Sequence, residues 1–259
     1  MDEFKELLAG KEFDADELEL LSYLLEEEGV EHDAAAMAAP RILPRAGDAQ
    51  LPLSFAQQRL WFLAQLQPTS AAYNMPGLLR LAGRLDLAAL TQSLAEVVRR
   101  HEALRTTFHV VGGEPVQRIA AAECVELLVE DLTHLTGARQ TEEVQQRALA
   151  EARRPFDLTK GPLVRARLLR LAATEHVLLV TMHHIVSDGW SIGIFIRELA
   201  TIYAALVHDR PAPLADLPIQ YADYAIWQRQ WLTGPVLDEQ LAYWRARLAG
   251  DLPVLQLPT

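Results

Sequence analysis

The fold class that the sequence predicts is α/β, in the form of a mixed α+β sandwich preceded by a short helical leader. Amphipathic helical segments alternate with extended apolar segments along residues 51–259. Half of the 259 residues are hydrophobic, which is enough for a sizeable core. Acidic residues are instead concentrated at the start of the chain, where residues 1–33 hold thirteen Asp or Glu and two Lys.

The acidic leader accounts for the whole net charge of −11, because the rest of the chain is balanced. Within residues 1–33, leucines recur at helical spacing between Leu18 and Leu25, and Gly29 is placed to end the helix. Residues 34–50 are small, interrupted by proline and weakly patterned, so they are predicted to be a linker. The body then covers residues 51–259.

In the first half of the body, Ser54 and Asp86 are each placed to cap a helix with an apolar stripe. Residues 73–85 between these helices are predicted to be extended. Gly112-Gly113 separates two short apolar runs, 104–111 and 116–119, which indicates a β-hairpin with strands at these residues.

In the second half, two apolar runs of strand length are predicted to pair through a short turn, and Ser191 is expected to cap the following helix. The predicted elements are a helix at 141–153, strands at 163–171 and 176–184, the helix from Ser191, and helices at about 219–232 and 236–248.

Composition excludes several classes of protein. No run approaches the roughly 18 uninterrupted apolar residues of a membrane span, and the N-terminus lacks the pattern of a secretory signal, so we expect no membrane association and a cytoplasmic location. Cys124 is the only cysteine, which excludes an internal disulfide and a cysteine-based zinc site. No basic stripe is present, so nucleic-acid binding is not expected, and no metal site is predicted.

A histidine pair at a strand end is the strongest candidate site. Residues 182–191 read Met-His-His-Ile-Val-Ser-Asp-Gly-Trp-Ser and are predicted to run from a strand through a turn into a helix. Since consecutive strand residues point to opposite faces, only one of His183 and His184 can face a cavity. Gly189 can adopt a positive φ and let a ligand approach the backbone.

Asp188, close to this turn, is predicted to be buried, and a buried carboxylate needs a cationic or multiple-donor partner. The candidates are arginines, first Arg100 and Arg105, with Arg59 behind them. A neutral His184 could accept a proton from a nucleophile at neutral pH. No Ser or Cys nucleophile with a triad pattern is evident, so direct transfer between two bound substrates is favoured over a covalent enzyme intermediate. The alternative is that the histidine pair is purely structural.

Four stretches, in the same order, resemble the core motifs of nonribosomal peptide synthetase condensation domains. Residues 183–189 resemble the signature His-His-x-x-x-Asp-Gly, and residues 54–63, 100–108 and 221–227 resemble the first, second and fourth motifs. The resemblance implies one lobe of a fold similar to chloramphenicol acetyltransferase, in which two lobes form a V around a tunnel. The later motifs of the family, which belong to the second lobe, are absent.

The resemblance also implies the site and the partners. His184 would lie at the tunnel centre as the catalytic residue and the Gly189 backbone near the donor thioester, with His183, Asp188 and Trp190 in supporting roles. The implied reaction is amide formation between a donor acyl or peptidyl thioester and an acceptor aminoacyl thioester. The substrates would arrive on the phosphopantetheine arms of donor and acceptor carrier proteins, with no cofactor bound directly.

Further expected partners are the missing second lobe, a downstream adenylation domain and, if residues 1–33 dock rather than form a plain solvated connector, an upstream synthase subunit. We expect this chain alone to be inactive. Alternatives are a non-catalytic scaffold that docks carrier proteins, or an O-acyltransferase dependent on coenzyme A, which would lack the motifs around Arg59 and Arg105. Epimerisation is disfavoured because Gly-Trp-Ser-Ile at 189–192 replaces the Gly-Val-Ser-Trp of that subfamily.

Overall fold

A computed structural model of the chain describes residues 40–47, 50–121 and 125–253. The predicted helical leader, residues 34–39, 48 and 49 of the predicted linker, and Cys124 lie outside the described residues.

The described residues form seven strands, six α-helices and one 3₁₀ helix. In chain order these are β1 (Leu51–Pro52), α1 (Phe55–Leu66), β2 (Asn74–Ala82), α2 (Leu87–Arg100), the 3₁₀ helix (Glu102–Arg105), β3 (Thr106–Val111), β4 (Glu114–Ile119), β5 (Leu127–Asp131), α3 (Gly137–Arg153), β6 (Val164–Ala172), β7 (Glu175–His183), α4 (Gly189–Val207), α5 (Tyr221–Trp231) and α6 (Gly234–Arg247).

The strands form two sheets. A four-stranded sheet has the order β2-β7-β6-β5, in which β7 is antiparallel to both neighbours and β5 is parallel to β6. A three-stranded antiparallel sheet has the order β1-β4-β3. Eight of the nine residues of β7 are buried, because this strand lies inside its sheet and has packed residues on both faces.

Alternate residues of the larger sheet enter two separate hydrophobic clusters. Leu168 and Leu178 belong to the main core, which also contains residues from α2 and α4. Their neighbours Leu169 and Val177 belong to a smaller cluster on the other face, together with Val144 of α3. The two-residue period of a strand therefore places helices on both faces of this sheet, and the C-terminal end of β7 leads into the candidate site.

Several predictions made from the pattern are confirmed. Ser54 and Asp86 cap α1 and α2 with their side chains. The hairpin of β3 and β4 turns at Gly112 and Gly113, which both have positive φ angles of 62° and 88°. The two long apolar runs pair as β6 and β7.

Other predictions about the elements were wrong. The cap of α4 is Asp188 and not Ser191, because the Asp188 carboxylate accepts the hydrogen bond of the first turn. The strand expected from residue 104 begins at Thr106, since Glu102–Arg105 forms a 3₁₀ helix. Strand β5 (Leu127–Asp131) was not predicted.

The end of the predicted linker is held against the body by Arg45. Its guanidinium forms ion pairs with Glu102 at 2.9 Å and with Asp223 at 3.1 Å, and its backbone N–H also donates to Asp223. The Asp223 side chain is only 3% exposed, so this contact fixes the segment to the first turn of α5.

Helix α4 is the one described helix that is long and apolar enough to cross a membrane, with a mean hydropathy of 1.4. Its residues Phe195, Leu199 and Ile202 are buried in the main core. A helix that packs into a core has the same composition, so this observation does not indicate a span.

Candidate functional site

The candidate site is the turn between β7 and α4. Strand β7 ends at His183, one residue before the predicted end, and helix α4 begins at Gly189, ahead of the predicted cap Ser191. His183 is buried with 5% of its surface exposed, whereas His184 is exposed. The two neighbouring histidines are therefore separated into one that packs inside and one at the surface.

His183 is a packed, neutral histidine. Its Nδ1 accepts a hydrogen bond of 3.1 Å from the Ile185 N–H, and its ring contacts the rings of Tyr73 and Phe156 with centroids 6.4 and 6.0 Å away. Burial lowers the pKa of His183 to about 4, and the adjacent His184 contributes in the same direction. The uncharged ring supports the turn from inside.

His184 is held by one side-chain and one backbone hydrogen bond. Its Nδ1 lies 2.7 Å from the carbonyl oxygen of Ser187, and its backbone N–H donates to the carbonyl of Tyr73 at 2.8 Å. Because a carbonyl oxygen only accepts, Nδ1 must carry the proton of this bond. In the neutral ring, Nε2 then has a free lone pair and can accept a proton.

The predicted pairing of Asp188 with an arginine was wrong. Asp188 is exposed, and its carboxylate accepts hydrogen bonds from the Ser191 N–H at 2.7 Å and the Ser191 hydroxyl at 2.6 Å. These bonds lower the pKa of Asp188, with a smaller contribution from His184. An exposed carboxylate at a helix N-terminus is stabilised by water and by the first-turn N–H groups, so it needs no arginine.

The arginines proposed as its partners lie elsewhere in the described part of the chain. Arg100 pairs with Glu198 of α4 at 3.2 Å and donates to the carbonyl of Ala215 at 2.9 Å, with only 5% of its side chain exposed. Arg105 donates to the carbonyl of Ala120 and lies 3.7 Å from Glu102, and Arg59 is exposed on α1.

Glu198 is the carboxylate that meets the buried arginine. It also lies 2.8 Å from Nε2 of His101, so one carboxylate connects two side chains that follow each other in sequence. Burial raises the pKa of Glu198, but the hydrogen bonds from His101 and Arg100 outweigh burial and lower it. No feature of the local sequence identified Glu198, because it is 98 residues from Arg100 and lies within an apolar helix.

Gly189 and Trp190 open the first turn of α4. Gly189 does not use the positive φ that a glycine can adopt, and a Cβ at this position would meet no atom within 4 Å. The backbone at the helix N-terminus is therefore open to an approaching ligand, and its N–H groups favour developing negative charge. Trp190 is 83% exposed, the highest value among the large hydrophobic residues described.

A largely apolar cavity of about 320 Å³ adjoins the turn. Ser187, whose carbonyl binds His184, and Ser191, which binds Asp188, are both part of its wall. The remaining wall residues come from four places: the second motif region, including His101 and Leu104; the end of β7 and the turn after it; α4, including Phe195; and the segment that leads into α5 with the first turn of that helix, including Ile219 and Tyr221. The described residues contain no group of three or more His, Cys, Asp or Glu placed to hold a metal ion.

A sequence profile of the family described as "Condensation domain" matches residues 48–259. The chain belongs to the condensation domain family. One of the linear gramicidin synthase proteins of Brevibacillus parabrevis is 51% identical over 219 residues, which cover 85% of this chain and 4% of that protein. Chondramide synthase of Chondromyces crocatus is 47% identical over 223 residues, covering 86% of this chain and 6% of that protein.

Solved structures of the family have the same fold. The X-domain from teicoplanin biosynthesis, in its complex with OxyB, superposes with a TM-score of 0.74 at 34% identity, over 86% of this chain and 48% of that one. The starter condensation domain of rhizomide synthetase gives a TM-score of 0.69 at 26% identity, over 81% of this chain and 52% of that one. The resemblance to synthetase condensation domains and to the chloramphenicol acetyltransferase fold is thus confirmed, and this condensation domain chain spans about half the length of the solved chains.

Proposed function

We propose that this chain provides the histidine-bearing lobe for amide formation between a donor thioester and an acceptor amine. The observation that carries the proposal is the hydrogen bond from Nδ1 of His184 to the Ser187 carbonyl, which leaves Nε2 at the surface as a proton acceptor. The family membership of residues 48–259 supports the same reaction class.

In the proposed step, the acceptor nitrogen attacks the carbonyl carbon of the donor thioester. A C–N bond forms, the C–S bond breaks, and the proton leaves the nitrogen for Nε2 of His184. The protonated imidazole returns that proton to the departing thiolate, so no group is left on the protein. General-base assistance of this kind contributes on the order of 10²–10⁴ in rate.

The N-terminus of α4 has a second role in the proposal. The thioester oxygen gains negative charge as the nitrogen attacks, and N–H groups at a helix N-terminus stabilise such charge. Gly189 has no side chain to occupy the approach, and a Cβ there would meet open space. The backbone of Gly189 is therefore assigned to the donor carbonyl. Trp190, largely exposed beside it, is assigned a supporting contact.

The proposed substrates arrive as thioesters on the phosphopantetheine arms of a donor and an acceptor carrier protein, in a cytoplasmic synthetase that also contains an adenylation domain. Because the chain spans about half of its solved relatives, the rest of the domain is assigned the opposite wall of the substrate tunnel. Helix α6 supports this assignment, because none of its residues is buried and Tyr243, Trp244 and the C-cap residue Leu248 are more than half exposed.

The test is amide formation by a condensation domain that contains this lobe. Donor and acceptor carrier proteins are loaded with aminoacyl groups, mixed with the domain, and the products on the acceptor are identified by mass spectrometry. We expect the dipeptidyl thioester on the acceptor carrier. Binding of both carriers with no amide product would contradict the proposal.

A scaffold that binds proteins without turnover is the second candidate. The structure with a TM-score of 0.74 is described as a complex of the X-domain and OxyB, so a domain of this fold assembles with another protein. The exposed Trp190 and the exposed aromatic residues of α6 would serve such a role equally well. Carrier binding with unchanged affinity in a His184→Ala variant, without any product from wild type, would favour this candidate.

A further inference from the structure

The cavity beside the His184 turn has the dimensions of a pocket for one side chain. Its volume of about 320 Å³ is at the lower end of small-molecule pockets, which measure roughly 300–1,000 Å³. Apolar wall residues come from three parts of the fold: Met182 ends β7, Phe195 belongs to α4, and Ile219 precedes α5. An extended peptide would exceed this volume, whereas a single large side chain would fit.

Most polar side chains in the wall already have partners inside the protein. Gln220 donates to the Arg100 carbonyl at 2.9 Å and accepts from the Glu102 N–H at 3.1 Å. The hydroxyl of Tyr221 bonds that of Ser54 at 3.0 Å, and the hydroxyl of Tyr224 accepts from Gln228 at 2.9 Å.

The serines of the wall are engaged in the same way, Ser187 with the His183 carbonyl and Ser191 with Asp188. His101 uses its Nε2 for Glu198. Among the described residues, nothing forms a hydrogen bond with its Nδ1. The cavity therefore offers a ligand mainly apolar contacts, together with Nδ1 of His101 as an acceptor and the hydroxyl of Tyr224, which accepts from Gln228 and can still donate.

We propose that this cavity is a specificity pocket that receives a large apolar side chain of one of the two acyl or aminoacyl substrates. It shares Ser187 and Ser191 with the turn that holds His184 and Asp188, so a substrate whose reacting end lies at the turn can place its side chain in the cavity. An acidic side chain would lose its hydration there without gaining a cationic partner, because Arg100 is already paired with Glu198.

The inference rests on the proposed function, which identifies the ligand as a substrate side chain. Binding to the cavity can still be measured without turnover. The probes are the N-acetyl amides of leucine, tryptophan, aspartate and glycine, added to the 259-residue chain. Met182 lies in the wall and is one of four methionines, so its ¹³C-labelled methyl group reports on the cavity by NMR. The signal is assigned with a Met182→Leu variant.

We expect the leucine and tryptophan probes to shift the Met182 methyl signal and to bind at least about tenfold more tightly than the glycine and aspartate probes, since even one methylene group in an apolar pocket changes affinity by about 10–200-fold. Equal affinity for leucine and glycine probes, or no shift of the Met182 signal at saturation, would overturn the proposal. This comparison uses only the wild-type chain.

A pair of variants on α4 tests the location. Ile194 lines the cavity, whereas Ile196 lies two residues further along and is 37% exposed outside it. Ile194→Trp should fill the cavity and weaken binding of the leucine probe at least about tenfold, and Ile196→Trp should leave it unchanged. Equal effects of the two variants would contradict the assignment. Thermal unfolding of both variants identifies any loss of fold.

The outcomes separate this inference from the proposed reaction. In a domain that forms amides, Ile194→Trp should raise KM for a leucyl substrate by a larger factor than KM for a glycyl substrate, whereas Ile196→Trp, outside the cavity, should change neither. If the domain forms no amide but the leucine probe still binds selectively, the reaction is refuted and the pocket is retained. If amides form at the same rate with both side chains and both variants, the pocket is refuted and the reaction is retained.

Discussion

Nδ1 of His184 lies 2.7 Å from the carbonyl oxygen of Ser187, three residues along the same turn. This bond fixes the tautomer and the orientation of the exposed imidazole before any substrate arrives, because a carbonyl cannot donate. Its neighbour His183 is held inside the fold by the Ile185 N–H. The two adjacent histidines therefore have different surroundings, since His184 is exposed and the ring of His183 is packed inside the fold.

Asp188→Ala should destabilise the protein by about 1 kcal/mol, because it removes the cap of α4 and not a buried ion pair. Asp188→Asn keeps an acceptor for the Ser191 N–H, so its free energy of unfolding should fall by only about a few tenths of a kcal/mol. Urea unfolding of the two variants beside wild type measures the difference. A loss of about 3–5 kcal/mol for Asp188→Ala would instead indicate a buried charge left without its partner.

Replacing the buried Glu198 should lower the free energy of unfolding more than replacing a carboxylate that lies closer to the surface. Glu198→Gln removes the charge that meets Arg100 and His101 in a buried setting, and the expected loss is about 3–5 kcal/mol. The matched control is Glu96→Gln, which breaks the ion pair with the half-exposed Arg99 and should cost less than about 1 kcal/mol. Comparable losses in the two variants would contradict the buried network.

His183 should make stability fall as the solution is acidified. Its folded pKa of about 4 is below the ordinary value of 6.5, so the unfolded chain binds the proton more readily. The contribution of this group is therefore complete above pH 6.5 and is lost progressively as the pH falls from 6.5 towards 4, by about 3 kcal/mol in total.

The check on this prediction is the free energy of unfolding at several pH values between about 4 and 7, for wild type and for His183→Asn. Asparagine keeps an acceptor near the Ile185 N–H but does not titrate in this range. The variant should show a shallower slope, and parallel slopes for the two proteins would show that His183 is not the group responsible.

The 259-residue chain alone should form amide far more slowly than a complete condensation domain. His184 is exposed, and the opposite wall of the substrate tunnel is assigned to the rest of the domain. Positioning two reactants contributes roughly 7–11 kcal/mol to lowering a barrier. Mass spectrometry of the acceptor carrier, with and without the separately expressed remainder of the domain, measures this. Equal rates in both mixtures would contradict the two-lobe account.

The sequence predicted the positions of the histidines because strand alternation is a local rule. An apolar run ending in two histidines requires that one point inward, and His183 and His184 follow that requirement. No local rule could identify the partner of Arg100, because Glu198 lies on another helix and no feature of its own segment distinguishes it. The predicted arginine partner of Asp188 was wrong because an Asp that precedes a helix can accept hydrogen bonds from the first turn of that helix. Strand β5 was missed because it lies at the sheet edge, where Leu128 and Val129 are exposed and leave a weak pattern.

The measurement that tests the central claim most directly is single-turnover amide formation by a condensation domain carrying His184→Ala. Loaded donor and acceptor carriers are mixed with the variant, and the dipeptidyl product is followed by mass spectrometry, with His208→Ala as the control because His208 is an exposed histidine at the other end of α4. The account predicts a rate about 10²–10⁴-fold below wild type for His184→Ala, with unchanged thermal unfolding, and a wild-type rate for His208→Ala. A wild-type rate from folded His184→Ala would contradict it.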